Sequence, residues 1–139
     1  PMAYLPKPFR PPGQRTRTEV RQAADQRRGS ARARGYDSRW DKAAKAHLDR
    51  NPLCVYCAMG AWGDEPRDTA AVLVDHLIPH RGDMAVFWAR RDWVSSCEPC
   101  HSGPKQRIER RSAVLAVFAN DVRRHLAAAT PTPGGGSIP

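Results

Sequence analysis

Four cysteines are the residues of this sequence with the clearest chemistry, and they form two Cys-x-x-Cys pairs. Cys54 and Cys57 lie in "NPLCVYCAMG", whereas Cys97 and Cys100 lie in "SSCEPCHSGPK", where His101 follows directly. Each pair can present two sulfurs to one tetrahedral ion from a tight turn, so the four thiolates predict a structural zinc site. Two disulfides, or c-type haem attachment at the Cys-x-x-Cys-His motif, are the alternatives.

Neither alternative explains both pairs as well as zinc does. Haem attachment normally accompanies export and leaves the first pair without a role, and no apolar signal segment lies near the start of the sequence. The chain is therefore expected to be cytoplasmic and not secreted, where cysteines stay reduced and bind metals in preference to forming disulfides. His101 is either a replacement ligand for the zinc or part of a separate site.

A second group of candidate residues lies between the two cysteine pairs, in "TAAVLVDHLIPHRGD". Its β-branched run leads into Asp75 and His76, and we predict a strand over residues 71–78 with "RRDWVSSC" as the returning strand. Adjacent residues on a regular strand face opposite sides, so Asp75 and His76 can share a site only where the strand ends or bends. Taken alone, such a pair on a strand is more commonly a surface feature.

Helices are predicted on both sides of this hairpin, which gives an α+β fold class. "SRWDKAAKAHLDRN" is predicted to be a helix with Ser38 as its N-cap and Pro52 just beyond its end. Apolar residues recur at intervals of three and four residues between Ile108 and Leu126, which predicts a last helix. The tryptophans expected in the core are Trp40, Trp88 and Trp93.

The chain has 139 residues and a formal net charge of +9, and its composition divides it into three parts. Residues 1–35 contain nine Lys or Arg against two acidic residues and are predicted to be a disordered basic arm. Residues 36–128 are the predicted folded domain, and the Pro/Gly-rich residues 129–139 are predicted to be disordered. A polyanion such as DNA is the expected partner, and a merely soluble basic surface is the alternative. No membrane partner is expected, because no run of eighteen apolar residues exists and the arm has almost no bulky apolar residues spaced to form an inserting face.

The order of these features resembles the HNH endonucleases, whose fold is the ββα-metal fold, in the zinc-containing version common in bacteriophages and prophages. The matching stretches are "YDSRW", "NPLCVYC", "VDHLIPHRGD", "VFW" and "DWVSSCEPCH", together with Lys105. The resemblance covers roughly residues 36–106. It implies a metal-dependent DNA endonuclease, working in the cytoplasm of a bacterial host cell, with low sequence specificity and with a phage terminase as a candidate partner.

The resemblance also implies a role for each site residue. His76 is the expected general base, because imidazole can take a proton from water at neutral pH. Asp75 and His101 are the expected ligands of a catalytic Mg²⁺, Mn²⁺ or other divalent ion, with positions left open for water and phosphate. The products are expected to carry 5′-phosphate and 3′-hydroxyl ends. Zinc at Cys54, Cys57, Cys97 and Cys100 is expected to support the fold only.

One position departs from the family pattern, because Asp92 stands where the family has an asparagine. Asp keeps an acceptor but lacks the amide donor. Asp92 is therefore a candidate site residue that either positions the hairpin or has become a metal ligand. If the change has destroyed the site, the alternative function is a zinc-stabilised DNA-binding module with a degenerate nuclease site. Further candidate phosphate contacts are His80, Arg39, Arg81, Arg90 and Arg91.

Overall fold

Helices surround one two-stranded sheet in the computed structural model, which describes residues 9–129. The expected α+β class is confirmed. In chain order the elements are α1 (Arg17–Arg28), α2 (Ser38–Arg50), α3 (Val55–Met59), β1 (Leu73–His76), α4 (Met84–Phe87), β2 (Trp93–Ser96), α5 (Glu98–Cys100), α6 (Gln106–Glu109) and α7 (Ser112–Ala129). A 3₁₀ turn over Arg90–Asp92 leads into β2, and a π turn over His101–Lys105 joins α5 to α6.

The sheet is an antiparallel pair in which Asp75 lies opposite Val94 and His76 lies opposite Trp93. Strand β1 is shorter than the predicted residues 71–78 and ends at His76. One further backbone bond, from Leu77 N to Asp92 O at 2.8 Å, follows the strand. Pro79 then has no N–H to donate, so pairing cannot continue.

The hairpin separates two apolar clusters, because neighbouring strand residues point to opposite faces. On one face, Val94 packs with the four cysteines and with Val122 of α7. On the other face, Trp93 packs with Trp40 and Phe87. The expected core positions of Trp40 and Trp93 are confirmed, and Trp88 is partly buried against the same cluster.

Helix α1 lies inside the segment that was predicted to be a disordered arm. Thr16 and Glu19 form a capping box, in which each side chain accepts from the other residue's backbone N–H, and Gly29 ends the helix with φ 80°. None of its residues is buried. The prediction over residues 17–28 needs correction, because local capping supports a helix that apolar periodicity did not reveal. Residues 1–8 and the tail from residue 130 onward lie outside the described residues.

Helix α2 begins at Ser38, one residue earlier than predicted, because its N-cap is Asp37 rather than Ser38. The Asp37 side chain accepts a hydrogen bond from Trp40 N at 3.1 Å. The predicted last helix is interrupted at Arg110 and Arg111, which separate α6 from α7. Within the described residues, no helix combines the length and the apolar character needed to cross a membrane.

Candidate functional site

The four cysteines come together in one buried cluster. Cys54 precedes α3 and Cys57 lies within it, while Cys97 precedes α5 and Cys100 ends it. Their Sγ atoms all lie within 4.8 Å of one another, and the cysteines are free of disulfides. Each Cys-x-x-Cys pair thus spans one short helical turn, and the cluster is positioned to bind a metal ion. The predicted joining of the two pairs is confirmed.

Burial disfavours thiolates at the second cysteine pair, whereas at Cys54 the same effect is outweighed by hydrogen bonds from the Cys97 and Cys57 backbone, which lower its pKa. Burial raises the pKa of Cys97 and of Cys100, because a charged sulfur is poorly solvated there. Trp62 offsets part of this penalty by donating from Nε1 to Cys100 Sγ at 3.2 Å. A bound metal ion favours the deprotonated sulfurs directly.

His101 does not join the cysteine cluster, although it follows Cys100 directly. Its backbone N–H donates to Cys97 O, which continues the turn and directs the side chain away from the sulfurs. Its Nε2 lies 3.7 Å from Asp75 Oδ1. Of the two alternatives for His101, the geometry therefore favours a separate site.

That separate site opens into a cavity of about 1290 Å³ beside the end of β1. The lining includes Asp75, His76 and His101, the residues for which the sequence predicted a shared site. It also includes Tyr36 and His80. The cavity lies between the hairpin, α2 and the turn that follows α5.

Asp75 is buried, and its two carboxylate oxygens differ in their partners. Oδ2 accepts a hydrogen bond from the Tyr56 hydroxyl at 2.6 Å and lies 3.2 Å from Lys105 Nζ. Oδ1 faces only His101 Nε2 among the described residues. Burial and the Asp75 charge raise the pKa of Tyr56 well above its usual value, so Tyr56 remains a donor. One oxygen of Asp75 is thus fixed and the other is available.

Lys105 is fully buried and supplies the counter-charge. Its Nζ donates to His76 O at 3.2 Å and to Glu109 Oε1 at 2.6 Å, besides its contact with Asp75. Two of the three N–H donors of the ammonium are used in these hydrogen bonds, and its contact with Asp75 Oδ2 is an ion pair. Lys105 therefore links the end of β1 to α6 and holds the Asp75 carboxylate in place.

The neighbouring His76 has its ring orientation fixed by a different set of contacts. It stacks on Trp40, with ring centroids 5.0 Å apart and 19° between the planes. Its Nε2 lies 3.0 Å from Phe87 O, which also accepts from Trp93 Nε1 at 2.9 Å. A carbonyl only accepts, so Nε2 carries the proton and neutral His76 has its lone pair on Nδ1.

Nδ1 of His76 makes no hydrogen bond to the part of the chain described here. Burial lowers the pKa of His76, against the opposing influence of the Phe87 carbonyl. The net lowering fits a neutral ring with one free basic nitrogen. The side chains of Asp75 and His76 contact different partners, as their expected divergence implies, yet both line the cavity.

Of the four predicted catalytic residues, Asp92 is the one that the structure does not bring to this cavity. Its carboxylate accepts two hydrogen bonds from Arg123 of α7, at 3.0 and 3.2 Å. Two of the predicted phosphate contacts are also engaged elsewhere, because Arg39 lies over the Trp88 ring and Arg90 over the Trp93 ring. Arg81 does line the cavity.

Sequence reasoning did not assign roles to Tyr56 and Glu109. A signal for Glu109 existed, because Lys105 and Glu109 are four residues apart and such residues meet on a helical surface. Tyr56 lies between two zinc-ligand candidates, and nothing in its sequence spacing indicates a contact with Asp75, nineteen residues away.

No family model, no curated protein and no solved structure matches this chain.

Proposed function

We propose that this chain is a metal-dependent DNA endonuclease of the HNH type, which hydrolyses phosphodiester bonds with little sequence preference. One observation carries the proposal. The free oxygen of Asp75 and His101 Nε2 face each other across 3.7 Å, beside a histidine whose protonated nitrogen is fixed on a carbonyl. A pair of metal-ligand atoms and a free imidazole nitrogen in one cavity suit phosphodiester hydrolysis.

Zinc is the proposed ion of the cysteine cluster. Cys57 Sγ lies 3.8 Å from Cys97 Sγ and 3.7 Å from Cys100 Sγ. With Zn–S bonds of about 2.3 Å, the sulfurs of a tetrahedral site lie about 3.8 Å apart. These spacings support zinc, and four protein ligands leave no open position, so the proposed role is structural.

Asp75 and His101 are the proposed ligands of a second, catalytic divalent ion such as Mg²⁺ or Mn²⁺. Two ligand atoms at about 2.1 Å from one ion can be no more than about 4.2 Å apart, and the observed 3.7 Å satisfies this limit. When bound, that ion supplies positive charge to the scissile phosphate and to the departing 3′ oxygen. Tyr56 and Lys105 keep the carboxylate oriented toward His101.

His76 is the proposed general base. Its Nδ1 accepts a proton from the attacking water while Nε2–H stays on Phe87 O, so the ring does not need to turn. The resulting imidazolium lies near buried Asp75, which favours the charge. Water then adds to phosphorus, the bond to the 3′ oxygen breaks, and that oxygen takes a proton from solvent. The ends expected are 5′-phosphate and 3′-hydroxyl.

DNA is the proposed substrate because the chain carries a formal net charge of +9. The resemblance to phage HNH proteins further suggests DNA processing beside a terminase in the cytoplasm of a bacterial host. Both the partner and the location depend on that resemblance alone.

The function is tested by incubating supercoiled plasmid with the zinc-loaded protein and Mg²⁺, Mn²⁺ or Ni²⁺, with EDTA as the metal-free control. We expect nicked or linear product only with added metal. His101→Ala should require a higher metal concentration, whereas His125→Ala, on α7, should not. DNA binding without cleavage under every metal would support the alternative, a zinc-stabilised DNA-binding module.

A further inference from the structure

The turn between α1 and α2 forms one wall of the cavity. Ser30 Oγ accepts from Ala33 N at 3.1 Å, and Tyr36 N donates to Ala31 O at 3.0 Å. Gly35 has φ 101° in the left-handed region. These local bonds order the end of the basic arm and bring Arg34 and Tyr36 to the cavity lining.

Arg34 lies on this wall and has no acidic partner among the described residues. Its Nε is buried and has no hydrogen-bond partner within residues 9–129, and its guanidinium forms no ion pair there. The Cζ atom lies 5.7 Å from the centroid of the Tyr36 ring, which gives it an aromatic contact only. An unpaired buried donor is costly, and a charged one more so. An anion in the cavity beside Arg34 would supply the counter-charge that the described residues do not provide.

Tyr36 provides a second unused donor next to Arg34. His80 Nδ1 accepts from Gly82 N at 3.1 Å, so the proton of the neutral ring is on Nε2, which lies 3.0 Å from the Tyr36 hydroxyl. Nε2–H donates to that hydroxyl oxygen. The hydroxyl proton of Tyr36 then has no acceptor among the described residues, and burial raises the pKa of Tyr36, so the proton is retained.

Arg81 adds a second unpaired cation to the same lining, whereas Arg28 and Lys45, which also line it, pair with acidic residues of their own helices. Arg81 is exposed and takes part in no ion pair in the described part of the chain. Its φ of 49° makes it the one non-glycine residue with a positive φ between residues 9 and 129. Backbone strain of this kind is concentrated at ligand sites.

The carboxylates that line the cavity do not satisfy these donors. Asp75 and Glu109 both pair with Lys105, and Asp41 lies in the first turn of α2 without an ion pair to Arg34 or Arg81. Tyr36 lies close to the proposed base, because its ring centroid is 6.3 Å from that of His76, and the ring of its partner His80 is 5.0 Å from His76.

We propose that Arg34, Tyr36 and Arg81 form a subsite for a second, uncut phosphate of the DNA strand, adjacent to the scissile one. This rests on the proposed nuclease function for the identity of the strand. The subsite fixes the register of the backbone over His76, and His80 positions the Tyr36 hydroxyl. Phosphate oxygens accept in several directions, so one phosphate in the cavity can pair with the Arg34 guanidinium and accept from the Tyr36 O–H.

The first experiment measures anion binding and requires no cleavage. Full-length zinc-loaded protein is titrated with thymidine 3′,5′-bisphosphate and separately with inorganic phosphate, while the arginine Nε–H resonances are followed by NMR. We expect a saturable shift at Arg34 that Tyr36→Phe weakens several-fold. Arg111, which is exposed and outside the cavity, is the internal control. A shift at Arg34 no larger than that at Arg111 would overturn the subsite.

The second experiment locates the phosphate on the strand. End-labelled oligonucleotides with one neutral methylphosphonate at a known position are cut by the wild-type protein, by Arg34→Gln and by Arg111→Gln. Wild type and Arg111→Gln should lose about tenfold or more of their cutting at one fixed distance from the neutral linkage. Arg34→Gln should cut more slowly overall and lose that position dependence, with an unchanged melting curve.

The two experiments separate the subsite from the nuclease. If bisphosphate binds at Arg34 but the wild type does not cleave DNA, the result would support the anion site and contradict the proposed nuclease function. If Arg34→Gln cleaves with the same position dependence as the wild type, the result would support the nuclease function and overturn the subsite. If the wild type binds inorganic phosphate at Arg34 but its cleavage shows no position dependence, a free anion and not the strand occupies the subsite.

Discussion

Arg123 donates two hydrogen bonds to the carboxylate of Asp92, from Nε to Oδ1 at 3.0 Å and from Nη2 to Oδ2 at 3.2 Å. The pair joins the turn before β2 to α7. Asp92 is also the residue whose carbonyl accepts from Leu77 N, just beyond β1. Asp92 therefore connects the hairpin to the last helix, and it is not among the residues that line the cavity with Asp75 and His101.

Asp92→Asn is expected to leave the metal requirement unchanged. The variant removes the charge from a partly exposed pair, so the free energy of unfolding should fall by no more than about 1 kcal/mol. Asp121→Asn, which breaks the exposed contact with Arg124, is the matched control. The measurements are urea unfolding and nicking rate against Mg²⁺ concentration. A large rise in the Mg²⁺ needed for half-maximal rate would instead make Asp92 a metal ligand.

Cys57→Ser is expected to lose the structural metal and most of the cooperative unfolding transition. Cys57 contacts both sulfurs of the second pair, so its loss removes the link between α3 and α5. Zinc content and the melting curve are the measurements. Ala58→Ser places the same hydroxyl on the same helix and should keep both. A Cys57→Ser protein with full zinc and the wild-type melting temperature would exclude a four-cysteine site.

Lys105→Met should destabilise the protein by about 3–5 kcal/mol, because it leaves the buried Asp75 carboxylate without its cation. Lys45→Met is the matched control, since Lys45 also pairs with an acidic residue four positions later but is exposed. There the expected loss is below about 1 kcal/mol. Chemical denaturation compares the two variants. Equal losses would show that Lys105 does not hold the Asp75 carboxylate.

The features that could be predicted from the sequence are those that depend on short-range patterns. The two Cys-x-x-Cys pairs predict a metal cluster because each pair needs only one turn to bring its sulfurs together. The β-branched run before Asp75 and the returning Trp93–Ser96 segment predict the hairpin by strand preference alone. The end of β1 at His76 depends on Pro79, which the sequence also shows.

Other features depend on contacts between distant residues or on weak local signals. The Asp92–Arg123 pair spans thirty-one residues and follows no periodic pattern. Burial of Lys105 could not be predicted, because a lysine at a helix start is normally solvated. Helix α1 was missed because a capping box, with no buried face, is its main sequence signal. The partners of Asp75 likewise emerge only when α3 packs against the hairpin.

Deleting residues 1–29 should lower the salt dependence of DNA binding. This removes seven Lys or Arg and two acidic residues but keeps the turn that carries Arg34. Each lost phosphate contact reduces the slope of log K against log salt by about 0.9 for duplex DNA. Deletion of residues 130–139, which carry no charged side chain, is the control. An unchanged slope would exclude a DNA-binding role for the deleted residues.

The most direct test of the central claim is the single-turnover cleavage rate of His76→Ala at saturating Mg²⁺ and DNA. His76 is the proposed base, so its removal should slow cleavage by about 10²–10⁴-fold. Zinc content and DNA affinity should stay at the wild-type level, and His125→Ala should cut at the wild-type rate. A loss at His76 smaller than about threefold, with the protein folded, would contradict general-base catalysis by this residue.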